Sequence, residues 1–136
     1  MPKRPLKLHV RIPPYRPPRN TWRRLVNAAV LQGLAKTPVQ YLPTDRLEVT
    51  VRLYLVGGAL TANDVDNRLK DILDALQGRA GGSKRIRTLK PVIPNDRQVF
   101  RVIVEKGAPP KQSRGLGHVI VRRFSKGGER GHLTRA

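Results

Sequence analysis

Five apolar side chains in strict alternation, Leu47, Val49, Val51, Leu53 and Leu55, constrain this chain more than any other stretch. A period of two puts all five on one side of an extended strand. A strand that is apolar on one side only must bury that side against another layer. Leu6, Leu8, Val10 and Ile12 repeat the pattern with Lys7, His9 and Arg11 between them. Val99, Arg101, Ile103 and Glu105 alternate with Phe100, Val102 and Val104, and His118 to Phe124 reads as a fourth strand. Helical spacing falls between these runs. Trp22, Leu25, Val26, Ala29 and Val30 recur at three and four, with Asn20 or Thr21 to cap the start and Gly33 or Ala35 near the end. Leu69, Ile72, Leu73 and Leu76 do the same between Asp66 and Leu76.

The order strand, helix, strand, helix, strand, strand predicts an α+β fold, a mixed sheet of about four strands with two helices. At 136 residues the chain fits one domain with a real core. Residues 1–125 are expected to form it, and the charged, glycine-rich residues 126–136 a basic disordered tail. Pro13, Pro14, Pro17 and Pro18 read as a rigid link between strand and helix. Gln77 to Lys90 carries five basic residues, three glycines and no acid, and reads as a mobile basic loop.

Charge narrows the partners. Lys and Arg number 28 against nine acids, a formal charge of +19, and nucleic acid is the default partner of such a surface. An anionic membrane fits less well, because the basic residues are scattered and no apolar run of about eighteen residues occurs. The absence of cysteine excludes disulfides, thiolate nucleophiles and cysteine-ligated zinc. His9, His118 and His132 are too far apart in sequence to suggest a ready metal cluster. The expected location is the cytoplasm, in association with the nucleoid, where nucleic acid and magnesium are both at hand.

Against this basic background, Asn63 to Leu76 holds four of the nine acids: Asp64, Asp66, Asp71 and Asp74. Asp71 reads as the solvated face of a helix, and Asp74 is evenly divided between that face and a functional role. Asp64 and Asp66, two residues apart before a helix, repel one another and call for a cation. Oxygen donors of this kind suit Mg²⁺ or Mn²⁺. A calcium loop of the EF-hand type is rejected, since Arg68 and Leu69 stand where an oxygen ligand and a glycine are needed. Asp96, at the mouth of the third strand, is the candidate third ligand. Lys70, one turn after Asp66, can reach a phosphate under attack and stabilise charge developing there. Arg16, Arg19, Arg23, Arg79, Lys84, Arg85, Arg87 and Lys90 are candidates for backbone phosphate contacts.

Asp64-x-Asp66-Asn67-x-x-Lys70-x-x-x-Asp74-Ala75-Leu76, followed by Asp96-x-Gln98-Val99, resembles the RusA family of Holliday junction resolvases. Ile12-Pro13-Pro14 with Pro17-Pro18-Arg19-Asn20 is similar to that family's proline-rich opening. The resemblance implies a homodimeric, magnesium-dependent endonuclease that cuts four-way DNA junctions by paired symmetric nicks. By position Asp64, Asp66 and Asp96 match its acidic metal ligands and Lys70 its essential lysine. Asn67 and Asp74 fall beside them as candidate outer contacts. Two rival readings stay open: a basic nucleic-acid-binding module without activity, and a magnesium nuclease acting on other branched or duplex DNA.

Overall fold

The alternation in the sequence becomes a one-sided sheet. In the computed structural model, which describes residues 5–54, 65–80, 89–109 and 117–125, β1 (Leu8–Ile12) buries Leu8, Val10 and Ile12 and exposes His9 and Arg11. β2 (Leu47–Tyr54) buries Leu47, Val49, Val51 and Leu53 in the same layer. β3 (Val99–Gly107) and β4 (Gly117–Arg123) complete a mixed sheet of order β1-β4-β2-β3. β4 lies antiparallel to both β1 and β2, whereas β2 and β3 are parallel. The fold is therefore the α+β arrangement expected, with two helices, α1 (Arg19–Lys36) and α2 (Val65–Leu76), against four strands.

The helices cover one side of the sheet. α1 packs on β1 and on α2, and α2 reaches β3. Trp22, Val26 and Val30 of α1 meet Ile72 and Leu76 of α2 and the inward residues of the strands in one core. Fully burying each aliphatic side chain of this set contributes roughly 1.5–3 kcal/mol. Asn27, buried among them, donates from its amide to the carbonyls of Ala75 and Lys90, both at 2.9 Å, tying α1 to the end of α2 and to the chain that returns from it.

Local details refine this outline. α1 starts at Arg19, not at a capping Asn20 or Thr21: the Pro18 carbonyl accepts from the Trp22 amide at 3.2 Å, and no side chain caps that end. Proline suits this place, having no amide hydrogen to leave unpaired. The proline-rich link is pinned from the helix side, where the Trp22 indole donates to the Pro13 carbonyl at 3.0 Å. At the start of β3 the register slips, so that Leu47 faces Val99 but Glu48 faces Arg101. Phe100, the extra residue of this bulge, is more than half exposed.

The described ends of the basic loop are anchored. Gly78 closes α2 with φ near +80°, its amide donating to Ala75 and its carbonyl accepting from Leu89 at 2.9 Å. A Cβ there would stand 2.3 Å from the Leu89 carbonyl oxygen. Gly78→Ala should therefore lower stability by roughly 1–3 kcal/mol, measured as a fall in the denaturant midpoint; an unchanged midpoint would show that the turn is not held as described. Lys84, Arg85 and Arg87, Asp64, and the tail 126–136 lie outside the described residues.

Candidate functional site

The first two turns of α2 present Asp66, Asn67 and Lys70 at the surface. The helical period puts Lys70 one turn after Asp66 on the same side, and the positive end of the helix dipole favours the Asp66 carboxylate there. Asp64, the other half of the expected carboxylate pair, lies outside the described residues.

Asp96 is held elsewhere. It opens a single 3₁₀ turn, Asp96–Gln98, that leads into β3. Asn95 and Gln98 lock this turn reciprocally: Asn95 Oδ1 accepts from the Arg97 amide at 2.8 Å, and the Asn95 amide donates to Gln98 Oε1 at 3.0 Å. The Gln98 amide group then donates to the carbonyls of Leu42 and Asp45, at 2.8 and 2.9 Å, fixing the turn beside the start of β2. Asp96 itself is exposed.

Topology decides the relation between these two places. Because β2 and β3 run parallel, α2 must cross back along the sheet between them. The last residue of α2, Leu76, accepts from the amides of Val92 and Ile93, just before the Asp96 turn. Asp66 sits ten residues earlier, about 15 Å along the helix axis. α2 thus runs from Asp66 towards the segment that leads into the Asp96 turn, and the expected meeting of Asp96 with Asp64 and Asp66 involves Asp64, which lies outside the described residues. Among the described residues no group of three or more ligating side chains is set to hold a metal ion.

Asp71 corrects the reading of a solvated helix face. Its side chain is 0% exposed. Arg23 Nε donates to Asp71 Oδ1 at 2.9 Å, Arg19 Nε does so at 3.0 Å, and Arg68 Nη2 stands 3.2 Å from Oδ2. Arg68 is buried too, its guanidinium 3.5 Å above the Tyr15 ring, and among the described residues its Nε and Nη1 find no hydrogen-bond acceptor. Arg23 also reaches Asp74 at 3.2 Å. Arg23, expected on a phosphate, is only 13% exposed and is occupied by two carboxylates. Arg19 is shared between Asp71 and solvent, Arg16 and Lys90 are exposed, and Arg79 is half-buried. This network draws α1 and α2 together behind the Asp66 turn.

On the side of the sheet away from the helices, a second set of charges went unnoticed in the sequence. Glu48, buried at an outward position of β2, accepts from Arg101 at 2.8 Å and from Arg122. Arg52 pairs with Glu105 at 3.2 Å, and His9 touches His118 across β1 and β4. The usable signal was the period of two, which puts Glu48, Arg52, His9 and His118 on the polar side of their strands; register alone brings them together. No family model matches the chain, and no curated protein matches it either. No helix among the described residues is long and apolar enough to cross a membrane.

Proposed function

We propose that this chain is a magnesium-dependent, structure-selective endodeoxyribonuclease that resolves four-way DNA junctions as a homodimer. The observation that carries the reading is the exposed start of α2, where Asp66, two residues after Asp64, stands with Asn67 and, one turn on, Lys70 in a chain of charge +19. Exposed carboxylate oxygens are the donor type that Mg²⁺ or Mn²⁺ takes, usually a few of them alongside water and substrate phosphate. A divalent ion bound there supplies Lewis-acid polarisation of the scissile phosphate and an activated water. Asp64 and Asp66 hold the ion, Lys70 neutralises charge on the phosphate under attack, and basic side chains including Arg16 and Lys90 fix the DNA backbone. If roughly six to ten phosphates are neutralised, affinity falls by about three to five decades between low and moderate salt.

The place of Asp96 at the mouth of β3 bears on the dimer. β3 is an edge strand, paired on one side with β2, and it exposes Phe100, Val102 and Ile103. Such an edge is a template for another strand. Two β3 edges paired antiparallel about a two-fold axis would carry each Asp96 towards the end of the sheet where the partner's α2 begins. The third acid of each metal site would then come from the other copy.

Mixing variants tests this reading. Asp66→Asn and Asp96→Asn should each be inactive on a synthetic four-way junction with Mg²⁺. Refolded together, they should regain nicking of one strand, since half-mutant dimers keep one complete composite site. Wild-type chain that leaves junctions uncut would overturn the nuclease; an active wild type whose mixed variants stay dead would overturn only the shared site. Linear duplex as competitor separates a junction enzyme from a nuclease of other DNA. A second reading, a nucleic-acid-binding module without activity, is supported by the charge of +19 alone, and it predicts binding without cleavage.

A further inference from the structure

The open side of the sheet holds a site of another kind. His9 and His118 stand on neighbouring strands, in a register that pairs His9 with Ile120 and Arg11 with His118. His9 Nε2 and His118 Nδ1 are 3.1 Å apart, with ring planes inclined by 58°. Tyr54 meets His118 edge-on at 5.9 Å. Thr50, Arg52 and Ile120 complete the lining of a cavity of about 280 Å³ beside the two rings.

A short contact between two imidazole nitrogens can be a hydrogen bond only if one ring is neutral, because two imidazolium ions have donors alone. The surroundings sharpen that restriction. Arg11 approaches along β1 and Arg52 from β2, while the nearest carboxylate on this side, Glu105 of β3, is taken by Arg52, and Glu48 by Arg101 and Arg122. Burial first, then the charges of His9, Arg11 and Arg52, lowers the His118 pKa below its ordinary value. The two nitrogens are close enough to share a transition-metal ion, but the guanidinium groups beside them repel a cation and attract an anion.

We propose that the cavity between His9, Thr50, Arg52 and His118 binds a phosphate group, and that binding brings a proton onto the histidine pair. Arg52 offers a fork of donors, Thr50 a hydroxyl and each protonated ring an N–H, from three adjacent strands. Ile120 supplies an apolar floor that strengthens these contacts by excluding water. The cavity lies across the sheet from α2 and does not depend on the nuclease reading.

The sign of the pH effect follows. With the cavity empty, a lowered His118 pKa gives a stability contribution present above the unfolded value of about 6.5 and lost as pH falls. A bound anion favours the charged ring, so binding tightens as pH falls through that range.

Imidazole NMR of the full chain without metal, titrated with a short single-stranded DNA and separately with sulfate, an isostere of phosphate, reads this directly. Both ligands keep their charge across the range, so pH dependence belongs to the protein. At least one ligand should shift the His9 and His118 resonances and bind about tenfold tighter near pH 5.5 than near pH 7.5. A response to the oligonucleotide assigns the pocket to a nucleic acid strand, and a response to sulfate alone to a free anion. His9→Gln with His118→Gln should flatten the pH dependence, and Arg52→Ala should weaken binding at both pH values. Unmoved imidazole resonances at saturating ligand, or an undiminished pH dependence in the histidine variant, would overturn the assignment.

Discussion

Asp66→Asn should remove Mg²⁺-dependent junction cleavage by about three decades or more, the loss expected when several kcal/mol of metal-borne charge stabilisation go. The substitution keeps the size of the side chain and removes a ligand charge from an exposed helical turn, so folding should hardly change. Binding should hold as well. In the absence of metal, a carboxylate facing phosphate is repulsive, and its neutralisation in a chain of charge +19 leaves junction affinity equal or slightly higher. Single-turnover cleavage rates and gel-shift affinities in chelator, taken side by side, check the two halves of this expectation. Equal cleavage by both proteins would remove Asp66 from the chemistry. Weakened binding with proportionate loss of cleavage would make it a structural residue.

What the sequence reveals about the fold is what periodicity controls. Alternation put Leu6, Leu8, Val10 and Ile12, and Leu47, Val49, Val51 and Leu53, on the buried side, and all are buried, while Leu55 lies outside the described residues. Periodicity has less hold on a helix that packs on two neighbours at once. The leucine stripe of α2 pointed to Leu69, Ile72, Leu73 and Leu76, yet Arg68, Asp71 and Ala75 are buried while Leu69 and Leu73 are only partly so. The second neighbour is α1, and two of the three arginines that make burial of Asp71 tolerable, Arg19 and Arg23, come from 52 and 48 positions away. A helical projection of one segment contains nothing about them. The same holds for the candidate site. Asp66 and Lys70 are local to one turn and so were legible as a unit. Asp96 was joined to them by motif, and between it and them lies a parallel crossover through α2 that no local pattern describes. His9 and His118, 109 positions apart, meet only through the β1–β4 register.

The network around Asp71 should dominate the stability of the molecule. Removing one partner of a buried ion cluster leaves the others desolvated without compensation, a cost of about 3–5 kcal/mol. Here the residue removed by Asp71→Ala is the one carboxylate that Arg68 meets among the described residues, where its Nε and Nη1 already find no hydrogen-bond acceptor. Arg19 and Arg23 lose the same partner, although Arg23 keeps Asp74 and Arg19 has access to water. Since a domain of this size is stable by roughly 5–15 kcal/mol in all, the variant should show a large fall in denaturant midpoint. Glu105→Ala is the fitting comparison: it also frees an arginine, Arg52, but both members of that pair are about half exposed, and such pairs contribute roughly 0–1 kcal/mol. A further test follows from the origin of the cost. If the loss in Asp71→Ala comes from stranded charge, replacing Arg68 by methionine as well should recover part of it, because the long apolar side chain keeps the contact with Tyr15 and Trp22 and needs no counter-ion. A double variant no more stable than Asp71→Ala alone would place the cost in packing between α1 and α2 instead.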